Sequence, residues 1–262
     1  MTASLPVPVL ASPLLDGVPH GFFTRAGGVS QGSFASLNCS INSGDDPAAL
    51  AENRARVAAA MGVAPERLLG LTQVHGTDCV NVAEPWPPGA GPRADAMATR
   101  QPGLALGIIT ADCAPVLLAD RGHGVVAAVH AGWRGAAAGV LEAAVRAMLD
   151  LGASREAIVA AVGPCIGAAS YEVGEDLSDT VEAAGFEAGR FFSPGRRPGH
   201  LQFDLPGYCV ARLLACGIAA AGWLGCDTLP DTARFFSHRR RTLAGGGAIG
   251  HQISVIVSAG PA

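Results

Sequence analysis

The stretch from Gly103 to Gly135, GLALGIITADCAPVLLADRGHGVVAAVHAGWRG, constrains the fold more than any other part of the chain. Two apolar runs in it each stop abruptly at a chemically capable group. Leu104 to Thr110 delivers Asp112 and Cys113, and Val125 to Val129 delivers His130. Short continuous apolar runs bounded by glycine and turn residues read as strands buried on both faces. Reactive residues at the ends of such strands, followed by Gly or Pro, have the form of a site mounted on a rigid scaffold. His75 ends an earlier apolar stretch, LLGLTQVHG, in the same manner.

The flanking chain interleaves strands and helices. Residues 20–24 read as a strand running into RAGGVSQGSFASLN, a Gly/Ser-rich loop that carries Arg25 and Asn38 and matches no phosphate-loop pattern. Asp46 and Pro47 suit the N-cap and first position of a helix whose Leu50, Arg54, Val57 and Met61 share a face, with Gly62 as its stop. Residues 67–74 and 78–82 read as strands around His75, and 84–93 as a proline-rich surface excursion. Residues 104–110 and 113–119 form a hairpin-like pair, and Gly135 to Leu151 a single helix. Further on, the pattern predicts a strand in 157–167, a helix in YEVGEDLSDTVEAAG and a helix over 205–217. A strand over 219–224, a strand edge or loop over 235–241 and a last strand over 251–258 complete the reading. No repeat or compositional shift divides residues 1–262. The expectation is one α/β, α+β-type layered sandwich with mixed β-sheets, not a doubly wound fold.

Composition removes several function classes. All 18 basic residues are Arg, so Schiff-base, P-loop and nucleophilic lysines are excluded. A net charge of −4 argues against a broad nucleic-acid face, so any anion must meet a local arginine group. Asp112 interrupts the longest apolar run, leaving nothing long enough to span a membrane. The N-terminus, MTASLPVPVLASPLLDG, lacks the basic segment of a signal peptide. Seven scattered cysteines without a CxxC fit a reducing compartment, and a cytoplasmic protein is expected.

Two chemistries suit the strand-end residues. Three protein ligands with an open fourth position is the design of a catalytic zinc site, and His75, Cys113 and His130 are an acceptable set. The rival is a Cys–His nucleophile pair, Cys113 activated by His130, with Asp112 or Gln73 nearby. Both need a cationic partner for the thiolate, so the residues alone do not separate them. Cys165, in GPCIG, is a second nucleophile candidate or a small residue in a tight turn. Arg134 precedes a helix and reads either as an anion clamp or as a surface Arg stacked on Trp133. Arg239, Arg240 and Arg241 form a second basic group.

TQVHG, ADCAPVLLAD, HAGWRG, GPCIG followed by YEVG, and FFSHRR occur in this order, after FTRAGGVSQGSFASLN. Together they resemble the YfiH-like family, also called the laccase-domain, polyphenol oxidase or peptidoglycan-editing-factor family, over about residues 20–258. The resemblance implies a single-domain sandwich like the cytotoxic necrotizing factor catalytic domain. It implies one metal ion on His75, Cys113 and His130, generally zinc, with copper as the alternative. The implied activity is phosphorolysis of adenosine, inosine and methylthioadenosine and deamination of adenosine, with purine nucleoside and phosphate as partners and a monomer or small homo-oligomer. Asp112, Cys113, His130 and Arg134 are then the expected catalytic set. Arg25, Asn38, Gln73, Cys165, Arg239 and Arg240 are the expected substrate contacts. Copper-dependent polyphenol oxidation and a Cys–His hydrolase editing peptidoglycan precursors are the alternatives. The chain departs from the family pattern at Asn42, often His, and in the segment from His238 to His251.

Overall fold

The computed structural model describes residues 7–260; residues 1–6 and 261–262, and with them the start of the N-terminal stretch discussed above, lie outside it. The chain opens with β1 (Val9–Leu10) and β2 (His20–Phe23), then α1 (Pro47–Ala60), β3 (Leu68–Leu69), β4 (Cys79–Asn81) and β5 (Ala96–Thr99). The central stretch supplies β6 (Ala105–Thr110), β7 (Ala114–Asp120) and β8 (Val125–Ala131), followed by α2 (Trp133–Ala138) and α3 (Val140–Asp150). Next come β9 (Val159–Val162), β10 (Glu172–Gly174), α4 (Asp176–Ala183), β11 (Phe192–Pro194) and β12 (His200–Phe203). The chain finishes with α5 (Leu205–Ala215), β13 (Ala220–Trp223), α6 (His238–Leu243) and β14 (Gln252–Val257).

Two mixed sheets form the body, one of five strands in the order β1-β2-β14-β6-β3 and one of six in the order β13-β9-β7-β8-β5-β4. Alternate residues of their strands serve different layers, as the period of two requires. Leu106 and Ile108 of β6 meet Leu117 of β7 and Val126 and Ala128 of β8 between the sheets. The other face of the six-stranded sheet, with Val116, Leu118, Ala127 and Val129, packs on Leu141, Val145 and Met148 of α3 and Leu213 of α5. The outer face of the five-stranded sheet, with Phe23, Ala105, Ile253 and Val255, packs on Val57 of α1. The layered α/β sandwich expected from the sequence is what forms. No helix among the described residues is long and apolar enough to cross a membrane.

Several local readings are corrected. Residues 104–110 and 113–119 are not a hairpin: β6 lies in one sheet and β7 in the other, and the true hairpin is β7 with β8. Both strands are buried on both faces, so no polar alternation marks the change of sheet. The helix expected over Gly135–Leu151 is two helices, because Gly139 adopts φ +108°, ending α2 and opening α3. The strand expected over 67–74 shrinks to Leu68–Leu69, since the chain beyond Gly70 turns into the loop that carries His75. The helix expected across 171–185 begins only at Asp176, after strand β10. FFSHRRR enters helix α6, whose N-cap Ser237 accepts the Arg240 N–H. Strand β5 and the small sheet β10-β12-β11 have no counterpart in the sequence reading.

Candidate metal centre and cavity

Strand register assembles the centre. In the β7–β8 ladder Pro115 faces His130 and Ala114 faces Ala131, so Cys113, one residue before β7, lies beside the end of β8. On the other side of β8, Ala96 of β5 pairs with Val129, which sets Asp95 next to His130. The loop from Gly70 to Thr77 then returns His75 over this strand end. The donor atoms of His75, Cys113 and His130 lie within 4.8 Å of one another, the one such group among the described residues. Cys113 Sγ is 4.0 Å from His75 Nε2, and the two imidazoles stand edge to face at 4.8 Å between centroids.

Asp95, which the sequence reading missed, organises the centre. Its carboxylate is 2.7 Å from His130 Nδ1 and accepts the backbone N–H groups of His75 at 2.9 Å and Gly76 at 2.6 Å. The contact holds a proton on His130 Nδ1 and leaves Nε2 as a lone-pair donor, the usual support for a ligating histidine. These N–H groups also hold His75 at φ +60°, a conformation few non-glycine residues take. Asp95 precedes an apolar run, Ala96 to Ala98, and a search for reactive groups only at run ends passes over it.

Burial pushes the Cys113 thiol up, but the His130 and His75 imidazoles outweigh it and bring it to about 6. Burial alone would lower His130; the Cys113 sulfur and the Asp95 carboxylate raise it instead, to about 9. A thiolate held against imidazolium is a cluster that exchanges protons for a metal cation. One thiolate and two imidazoles form the ligand set of a zinc site that keeps a fourth position open. Tetrahedral zinc bond lengths set S and N ligands roughly 3.5 Å apart, so the observed spacing, up to 4.8 Å, fits after side-chain closure of about 1 Å at its widest pair. Gly132 leaves the room: a Cβ there would stand 3.0 Å from Cys113 Sγ and 3.1 Å from His75 Cδ2.

Asp112 has φ +95° at the crossing between sheets. Its carboxylate accepts hydrogen bonds from Thr228 Oγ1 at 2.6 Å, Ser237 Oγ at 3.0 Å and the Arg239 N–H at 2.6 Å. It therefore ties the crossover to the segment that leads into α6.

The cluster opens into a cavity of about 650 Å³. Leu71, Trp86, Ile109 and Leu205 give it apolar walls, and Tyr171, His238, Arg239 and His251 line it too. The proline-rich excursion is thus a cavity wall, anchored by Trp86 Nε1–H donating to the Gly70 carbonyl at 2.9 Å. Burial raises the Tyr171 phenol, so it stays protonated.

The other sequence candidates fall in different places. Gln73 lines the cavity, but its amide is engaged twice by the Ile109 backbone, at 2.8 and 2.9 Å. Arg239 lines the cavity with Nη2 on the Glu172 carbonyl at 2.6 Å. Arg240 points away and binds the Thr228 and Leu229 carbonyls and that of Phe235. Arg25 binds the Ala35 and Thr232 carbonyls and covers Phe236. Buried Asn38 binds Ser43 and Asp45 and accepts the His251 N–H. Arg134 is exposed and stacked on Trp133 at 4.3 Å, outside the cavity lining. Cys165 is buried outside that lining, and burial pushes its thiol well up.

Residues 19–259 match the family model described as multi-copper polyphenol oxidoreductase laccase. A purine nucleoside phosphorylase of Deinococcus radiodurans is 44% identical over 237 residues, covering 89% of this chain and 88% of that protein. One from Pseudomonas aeruginosa is 43% identical over 222 residues, covering 85% and 88%. Among solved structures, a Neisseria meningitidis protein superposes with a TM-score of 0.85 at 34% identity, over 98% of this chain and 100% of that one. The Bacillus licheniformis hypothetical protein YfiH does so with a TM-score of 0.87 at 26% identity, over 97% of each. With its full core matched and its fold shared, the chain belongs to the YfiH family, the one described as multi-copper polyphenol oxidoreductase laccase.

Proposed function

We propose that this protein is a zinc-dependent purine nucleoside phosphorylase whose single catalytic domain spans about residues 20–258. The observation that carries the reading is a three-donor cluster opening into a cavity of about 650 Å³ that also holds an arginine, Arg239. Relatives at over 40% identity named purine nucleoside phosphorylase support the substrate class. When bound by His75, Cys113 and His130, zinc supplies Lewis acidity toward a substrate heteroatom.

In phosphorolysis a phosphate oxygen bonds to C1′ as the C1′–N9 bond breaks, and the released purine takes up a proton. Arg239 is oriented for the phosphate: one guanidinium nitrogen is held by the Glu172 carbonyl and the group lies over Tyr171. Its remaining N–H groups meet no acceptor among the described residues and can take phosphate oxygens. Leu71, Trp86, Ile109 and Leu205 keep water from the base and ribose.

Adenosine deamination is the second activity of this reading, and methylthioadenosine a further phosphorolysis substrate. Zinc deaminases use a carboxylate to shuttle protons. Asp112 supplies the one carboxylate of the cavity lining, and its oxygens accept three hydrogen bonds. That engagement favours phosphorolysis as the main reaction. Laccase chemistry employs several histidine-rich copper centres, whereas one cluster with two histidines is present among the described residues. A cytoplasmic setting accords with seven unpaired cysteines.

Product analysis with adenosine and inosine, with and without phosphate, tests the reading. Ribose 1-phosphate and free base formed only with phosphate are the expected products. Turnover that survives metal removal and is blocked by alkylation of Cys113 would instead establish the cysteine hydrolase.

A further inference from the structure

His251 lines the same cavity as His75, Cys113 and His130 but is no part of the donor cluster. Its position is fixed from several sides. Its N–H donates to Asn38 Oδ1 at 2.9 Å, and its carbonyl accepts the Cys39 N–H at 3.1 Å. The preceding Gly250 lies so close to the Phe236 ring that a Cβ there would stand 2.6 Å from it. Strand β14 follows at once, with Gln252 paired to Thr110 at the end of β6.

The two ring nitrogens are in unlike surroundings. Nδ1 is enclosed by protein and has no hydrogen-bond partner among the described residues. Nε2 is not enclosed in this way, so it is the nitrogen on the cavity side. Burial, followed by the neighbouring His238, His130 and Arg241, pushes the ring down to about 4, so it is neutral near pH 7. A neutral imidazole carries one N–H. Enclosed N–H groups without partners are rarer than under-satisfied acceptors. The proton therefore belongs on Nε2, where a ligand or water meets it.

We infer that His251 is a specificity-determining residue that donates Nε2–H to a hydrogen-bond acceptor of the bound purine nucleoside. This rests on the nucleoside reading above. An uncharged single donor complements Arg239: the cation suits phosphate, the imidazole suits a neutral acceptor such as purine N7 or the O6 of a 6-oxopurine. A cavity built to donate to that atom rejects analogues lacking it, because the donor is then left unpaired.

The test combines nitrogen NMR of the native full chain with inosine binding by calorimetry for the native chain, His251→Leu and His251→Gln. The expected result is an Nε2–H signature for His251, about tenfold weaker inosine binding in H251L, and recovery in H251Q, whose amide N–H substitutes for the donor. Equal binding by H251L and the native chain, or an Nδ1–H signature, overturns the inference and leaves the nucleoside reading standing. No inosine binding by the native chain overturns both. The NMR readout needs no variant, so a folding defect in H251L does not shield the inference.

Discussion

Asp95 and His130 face each other across neighbouring strands with Oδ1 and Nδ1 2.7 Å apart, and this contact joins the candidate metal donor on β8 to the loop that carries His75. The same carboxylate accepts the His75 and Gly76 N–H groups, so one side chain sets both the tautomer of one donor histidine and the backbone of the other. Asp95→Ala is expected to lower zinc affinity about 10- to 100-fold. Competition against a chromophoric chelator measures it. Unchanged affinity would show that the loop and ring hold their places without the carboxylate.

Gly132→Ala tests the cluster without touching a ligand. Gly132 has φ −70°, which alanine adopts freely, so the backbone is unaffected. The added methyl would stand 3.0 Å from Cys113 Sγ and 3.1 Å from His75 Cδ2, inside van der Waals contact, so these two side chains must give way. Metal content after purification should fall while the circular dichroism spectrum is retained.

Chelation should reduce both activity and thermal stability, because a cation that binds only the folded chain stabilises it by mass action. Cys113→Ala should show the lower melting temperature in the absence of chelator and no further drop when chelator is added. A chelator-sensitive C113A would mean that the metal sits elsewhere.

Arg239 and Arg134 should separate in phosphate kinetics. Arg239→Ala is expected to raise the KM for phosphate about tenfold or more, the loss of a charge-assisted contact. Arg134→Ala, outside the cavity lining and stacked on Trp133, should leave it within about twofold. The reverse order would move the anion site to the start of α2.

Asp120 offers a pH test away from the cavity. Burial raises its pKa, but the Ser154 and His123 N–H groups and the His123 ring outweigh it, so the carboxyl sits below its usual 3.8. A depressed carboxyl contributes stability that is full above the ordinary carboxylate range and disappears as pH falls through the folded value. Asp120→Ala should thus cost about 1–3 kcal/mol near neutral pH, with the gap to the native chain closing below about pH 4. Urea unfolding across that range reads it directly.

Much of the centre is legible in the residues. Asp112, Cys113 and His130 stand beside or at the end of apolar runs, and His75 follows one, because sheet ends are where buried backbone gives way to reactive side chains. Which of the arginines face the cavity was not legible. Arg239 and Arg240 are adjacent in sequence, yet helix α6 turns one toward the cavity and the other onto the Thr228 and Leu229 carbonyls. Helical rotation of about 100° per residue decides this, and a run of three arginines carries no mark of it.

The sequence by itself determined that buried strands form, that lysine chemistry is absent, and that one thiol and two imidazoles follow apolar runs. Apolar patterning and side-chain chemistry are local properties, and they survive any arrangement of the strands. The tertiary structure alone decided that β6 and β7 lie in different sheets, that Asp95 supports His130 and the His75 loop, and that His251 joins the cavity. Those depend on which strands become neighbours. Sheet order is set by packing of the whole core, in which residues 35 positions apart, Asp95 and His130, come within 2.7 Å of each other.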